Sequence, residues 1–198
     1  MSVAHAPSAA IGLRAKTGRA IAVVLTGSRA NPQAVSRSEI ALATPAAGAL
    51  YQPFHQVMDL PWEQAATSVH SAERALEAAA ATELGALLRA LQSHALVAVG
   101  VGVVGAPDRN LAAIGSPHIC AHAAEGVLFR RVWQVGAAVN ALACVAFPER
   151  DIETLASNRL GLAAASIQTR LAVFGREVGR PWRADEKAAA LAAWMVLT

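Results

Sequence analysis

Residues Gly100–Gly105 read GVGVVG, the end of the apolar run LVAVGVGVVG that begins at Leu96. The letters match G-x-G-x-x-G, a pattern that holds dinucleotide phosphates when its glycines form the turn between a strand and the helix that follows at once. Here the first two glycines lie inside a continuously apolar, β-branched segment. Pro107, Asp108, Arg109 and Asn110 then precede any helix start, and the nearest one is Ser116–Pro117. The acid that should follow a second strand has no counterpart, since Glu125 falls in a helical pattern. The run from Leu96 to Val104 therefore reads as a strand buried on both faces of a sheet. Its glycines admit a bend or the close approach of a packed helix.

On the N-terminal side, Asp59–Glu63 (DLPWE) supplies a capping residue, an early proline and an acidic first turn, which predict a helix start. Val69, Ala72, Leu76, Ala80, Leu84, Leu87 and Leu91 then recur at three- and four-residue spacing along one stripe. Ala10–Thr26 reads as one long strand or as a strand that bends at its basic segment. Gly27–Pro32 (GSRANP) is a turn, and Val35–Ala43 an antiparallel strand. On the C-terminal side a helix is expected from Ser116 to about Ala141, with Ser116 as cap and Pro117 in the first turn. A short buried strand, Ala143–Phe147, comes next. Helices over 151–158, 163–174 and 181–197 complete the chain. Strands, then helix, strand, helix, strand and helices imply an α/β fold, a mixed sheet with helices packed on both faces. No repeat or linker divides 1–198, so a single domain is expected, with about 1–9 as a flexible N-terminal tail.

Composition narrows the function classes. Hydrophobic residues make up 55% of the chain, enough to offset the entropy of ordering a core, which excludes general disorder. The longest uncharged apolar run, Ala95–Pro107, is too short for a helix to cross a bilayer. The opening MSVAHAPSAAIGLR lacks a basic start followed by a long apolar core, so no membrane partner and a cytoplasmic location are expected. Cys120 and Cys144 make neither a disulfide framework nor a zinc motif and read as small buried hydrophobes. The net charge of +3 does not by itself demand nucleic acid. All the basic residues except Lys16 and Lys187 are arginine, whose planar fork suits phosphate and carboxylate.

His118, His122 and Glu125 are the densest chemical constellation, and their spacing puts all three on one helix face. Two histidines one turn apart can hold a metal ion or act as acid–base groups, with the glutamate as ligand or base. They are the catalytic candidates. Asp108 and Arg109 leave the central strand at the edge where open α/β sheets take ligands. Arg150 emerges there too if the strand ending at Phe147 runs parallel. Arg130–Arg131 reads as a solvated helix patch, and His55 and His94 carry no specific signal.

The order of elements resembles the ribonuclease H-like superfamily, especially its crossover-junction resolvase branch. Ile11–Val24 (IGLRAKTGRAIAVV) is similar to the family's first strand and turn, and Ala184–Trp194 (ADEKAAALAAW) to its last helix. The resemblance implies divalent metals held by carboxylates from the first strand, the middle strand and the last helix. This chain departs from that set: the first-strand position carries Arg14, the middle strand has no acid, and Asp185 or Glu186 alone remains. Two-metal phosphoryl chemistry needs several converging carboxylates, and an arginine among them opposes cation binding. The same fold supports sugar kinases and actin-like ATPases, whose first turn cradles phosphate; Arg14, Lys16, Thr17 and Arg19 stand there. The expected ligand-binding set is thus Arg14, Lys16, Asp108, Arg109, Arg150 and Asp185. The expected function is binding of nucleic acid or a phosphorylated small molecule without nuclease chemistry. The alternative is a small-molecule enzyme built on His118, His122 and Glu125.

Overall fold

The computed structural model describes residues 6–198. Its five strands are β1 (Ser8–Lys16), β2 (Arg19–Ser28), β3 (Asn31–Ala41), β4 (Val97–Gly105) and β5 (Cys144–Pro148). They form one mixed sheet in the order β3-β2-β1-β4-β5. The β1–β2 and β2–β3 pairs are antiparallel, whereas β1–β4 and β4–β5 are parallel. The helices are α1 (Trp62–Ser68), α2 (His70–Ser93), α3 (Pro117–Val139), α4 (Ile152–Leu160), α5 (Ala164–Val178) and α6 (Ala184–Val196). Among the described residues no helix is long and apolar enough to cross a membrane.

GVGVVG lies within β4 as expected, but the N-terminal strands differ from the sequence reading. Ala10–Thr26 is a hairpin of two strands, closed by Thr17–Gly18 between the paired Lys16 and Arg19. Gly18 adopts φ +69°, a left-handed conformation that glycine takes without strain. The basic segment Arg14–Arg19 between the two apolar stretches, read as a possible bend, is where the chain reverses. The expected tail is also shorter on the described side. Strand β1 begins at Ser8, Ala9 is fully buried, and Val97 N–H donates to Pro7 O at 3.0 Å. The rest of that expectation, residues 1–5, lies outside the described residues. The predicted long helix is two, because backbone at Val69 interrupts it between α1 and α2.

Two apolar layers hold the sheet. On one face Ala9, Ile11, Leu13 and Ala15 of β1 and Val101 and Val103 of β4 pack with Leu76, Ala80 and Leu84 of α2 and Leu128, Val132 and Trp133 of α3. On the other face α6 is apolar nearly all round, as a helix buried on all sides must be. It lies directly on the two central strands. Gly12 and Gly102 are register partners. A Cβ on Gly12 would stand 1.8 Å from Ala189 O, and one on Gly102 2.5 Å from Ala192 O. The two glycines therefore make a flat patch on which the alanine-rich helix rests backbone to backbone. That packing brings Asp185, at the start of α6, to the end of β1.

Candidate functional site at the carboxyl edge of the sheet

Because β1, β4 and β5 run parallel, their carboxyl ends meet at one edge, where open α/β sheets bind ligands. Arg14 sits near the end of β1 on the α6 face and is 6% exposed. Its guanidinium pairs with the Glu149 carboxylate just beyond β5. Its Nε also lies 3.4 Å from Asp185 Oδ1, and its Nη1 donates to Ala15 O at 2.7 Å. Lys16 Nζ stands 3.2 Å from Asp185 Oδ2. Two cations and two carboxylates thus interleave at the carboxyl edge of the sheet.

The histidines gather a short distance away. Helix α3 starts with Ser116 as cap, its Oγ accepting from Ile119 N–H, and this start places His118 and His122 one turn apart. Their Nε2 atoms are 3.1 Å apart. His55, from a single 3-10 turn at His55–Val57, completes a trio. Its ring centroid lies 4.5 Å from that of His122 and 5.4 Å from that of His118, both edge to face. Ligand atoms of all three lie within 4.8 Å of one another.

Glu125, one turn farther along α3, is buried beneath them. Its Oε1 accepts from Phe54 N–H at 2.9 Å and His55 N–H at 3.4 Å, and lies 3.4 Å from His55 Nδ1. The glutamate therefore anchors the loop that delivers His55. Glu125 Oε2 and His55 Nε2 are both buried without a partner. Burial pushes the Glu125 carboxyl up to about 7, against the pull of the two backbone N–H groups. His55 is lowered, by burial first and then by the neighbouring histidines.

A cleft of about 230 Å³ joins the two groups, walled by Arg14, Lys16, His55, His122, Glu125 and Glu149. Of the residues nominated from sequence, the structure brings together Arg14, Lys16, His118, His122, Glu125 and Asp185. Asp108, Arg109 and Arg150 stand apart. Asp108 pairs with Arg130, and Arg109 and Arg150 border a neighbouring shallow hollow beside Glu149. Arg130 is thereby corrected: it is 6% exposed and also donates to Gln134 Oε1 at 2.7 Å. Arg131 alone has the solvated placement expected of the pair. Cys120 and Cys144 are free and half-buried, and burial pushes the Cys144 thiol up to about 11. His55 is the residue that sequence reasoning missed. It lies in an irregular loop 70 positions from the glutamate that holds it, and no local periodicity marks it.

The raised Glu125 pKa has a measurable consequence. The unfolded carboxyl titrates at 4.5 and the folded one at about 7, so between those values the native state keeps a proton that the unfolded chain has released. The stability this gives is complete below pH 4.5 and is lost as pH rises through 7. The lowered His55 acts in the opposite sense, so the clean observable is the difference between wild type and Glu125→Gln. In metal-free buffer, chemical denaturation should show that difference moving in favour of the variant by up to about 3 kcal/mol from pH 4.5 to pH 8. A pH-independent difference would contradict the assignment.

No protein-family model matches the chain, and no curated protein matches it. Solved structures do. The chain is similar to Thermus thermophilus RuvC, with a TM-score of 0.50, 9% sequence identity, and coverage of 94% of this chain and 92% of that one. The fold is ribonuclease H-like. T. thermophilus RuvC in complex with its Holliday junction substrate gives a TM-score of 0.47 at 10% identity, covering 96% of this chain and 91% of that one. The acid of the last helix, Asp185, is engaged by both Arg14 and Lys16.

Proposed function

We propose that this chain is a divergent ribonuclease H-like domain that binds a phosphate-bearing partner, nucleic acid foremost, without carboxylate-held two-metal cleavage. One observation carries the reading: the Arg14 guanidinium lies between Glu149 and Asp185. Carboxylates neutralised by a fixed arginine are poor ligands for divalent ions, which need several free oxygens converging on them. The same arrangement favours an anion. Glu149 is 58% exposed, so an incoming phosphate can displace its carboxylate and take its place on the Arg14 fork. Lys16 faces the same cleft, and Arg109 and Arg150 lie exposed in the neighbouring hollow beside Glu149, where they could meet further phosphates.

Fluorescence anisotropy with labelled duplex DNA, a four-way DNA junction and single-stranded RNA over a salt series tests this. Affinity should fall linearly in log–log form with salt. Lys16→Ala should weaken binding to every sequence alike and reduce the slope by about one. An absence of affinity at the lowest salt for all three rejects nucleic acid as the partner.

A second reading, a small-molecule enzyme using His118, His122 and Glu125, is favoured by an apolar pocket of about 170 Å³ nearby. Phe54, Trp62, Leu111, Ile114, Pro117 and Cys120 wall it, flanking His55 and His118 along the chain. Ligand-induced thermal shifts that persist unchanged when both helix histidines are alanine count against that reading.

A further inference from the structure

The three histidines need an explanation that nucleic-acid binding does not give them. Their nitrogens converge, with His118 Nε2 and His122 Nε2 3.1 Å apart, and His55 Nε2 is buried with no partner. Ligand atoms of all three rings lie within 4.8 Å of one another, so one ion could reach them together. Imidazole is the commonest side-chain metal ligand, and three of them gathered this closely suit an ion better than they suit one another. We infer that His55, His118 and His122 form a mononuclear site for a divalent transition-metal ion, with Glu125 as the carboxylate that orients His55.

The geometry fits zinc. Zinc–imidazole bonds of about 2.0–2.1 Å in a tetrahedron put ligand nitrogens roughly 3.3 Å apart. One pair already stands at 3.1 Å, and all three ligand atoms lie within 4.8 Å, a separation that rotamer adjustment of the exposed His118 and His122 can close. His118 and His122 are at i and i+4 on α3, so one rigid element supplies two ligands. The third ring is held by the arrangement typical of metal-bound histidine, one ring nitrogen toward a carboxylate and the other toward the ion. Glu125 Oε1 lies 3.4 Å from His55 Nδ1, which leaves Nε2 as the free nitrogen. Imidazole-only ligation suits zinc, copper and nickel rather than magnesium or calcium. Cys120 is turned away, its Sγ 3.4 Å from Leu111 O, and so is not a fourth ligand. Three protein ligands leave one coordination position open, and His55 and His122 both border the cleft that holds Arg14 and Lys16. An anion bound there would face the ion and the two cations together.

The test uses the untagged chain of residues 1–198, stripped with chelator, dialysed, and titrated with zinc chloride by calorimetry alongside elemental analysis. One zinc per chain is expected. Cobalt(II) should give the intense visible absorption of a four-coordinate nitrogen-ligated ion. His118→Ala and His122→Ala should each abolish stoichiometric binding. These side chains are exposed, so circular dichroism should show both variants folded. Glu125→Gln keeps every ligand and should weaken zinc by about 10–100-fold, as loss of an orienting carboxylate does. His94→Ala, at an exposed position outside the cluster, should change nothing. Failure of the wild type to retain zinc, or equal zinc binding by the folded double variant of His118 and His122, overturns the site. Unchanged affinity in Glu125→Gln overturns the role given to the glutamate. The result is independent of nucleic-acid affinity, so the two proposals fail separately.

Discussion

Gly102→Ala is expected to destabilise the chain by about 3 kcal/mol and to lower its melting temperature by roughly 10 °C, with Gly12→Ala at least as severe. The added Cβ would meet main chain in both cases: Ala192 O at 2.5 Å from position 102 and Ala189 O at 1.8 Å from position 12. Backbone of a packed helix cannot rotate aside as a side chain can. Helix α6 must lift as a unit, opening the layer that buries Leu191, Trp194 and Met195. Gly100, in the same GVGVVG stretch, is the internal control. Its Cβ would meet Ala143 O at 3.3 Å, a contact that a shift of a few tenths of an ångström relieves. Gly100→Ala should therefore stay within about 1 kcal/mol of wild type, the gain from a stiffer unfolded chain offsetting the tightness. Equal losses at positions 100 and 102 would show that the glycines serve something other than helix approach. Thermal and urea melts of the three variants decide it.

Arg14→Asp is expected to cost about 3–5 kcal/mol in metal-free buffer, the range for leaving a buried charge uncompensated. Position 14 is 6% exposed, and its side chain points at Glu149 and Asp185, so the substitution sets three carboxylates facing one another with Lys16 beside them. Millimolar magnesium or manganese should restore much of the loss, because converging carboxylates are what such ions bind. Arg14→Met separates charge reversal from loss of the arginine. Its carboxylate neighbours can turn to water, so the cost should be about 1–2 kcal/mol, with no recovery on adding metal. If Arg14→Asp is as stable as wild type without metal, or if metal fails to rescue it, these groups do not converge as described.

How far the sequence reveals this molecule depends on which physical signals are local. Helix α3 and strand β4 are legible because a cap, a proline and an unbroken apolar run act within a few residues of each other. The close approach of α6 to β4 is legible in outline, since interior glycines in a strand imply something pressed against it. That the pressing surface is Ala189 and Ala192, far along the chain, is not. The β1–β2 turn is only half legible: the basic segment Arg14–Arg19 marks a break between two apolar stretches, but a single glycine with positive φ, Gly18, does not say whether the strand bends or reverses. Half of the candidate site follows the same rule. His118, His122 and Glu125 announce themselves by helical spacing on one element. His55 joins them only through tertiary packing of an irregular loop. Asp108 and Arg130 illustrate the converse: in sequence the first reads as a ligand-binding residue and the second as part of a solvated patch, and in the structure the two pair with each other.

On the proposed function, Arg14 and Lys16 at this edge of a ribonuclease H-like sheet meet phosphate without cleaving it. The most direct measurement is a gel-shift and strand-integrity experiment on one sample. End-labelled four-way junction and duplex DNA are bound at low salt, then challenged with millimolar magnesium or manganese. Retention that magnesium weakens, as any added salt would, with every strand recovered intact, is the predicted result. Magnesium-stimulated binding, metal-dependent scission, or no retention at the lowest salt would contradict it.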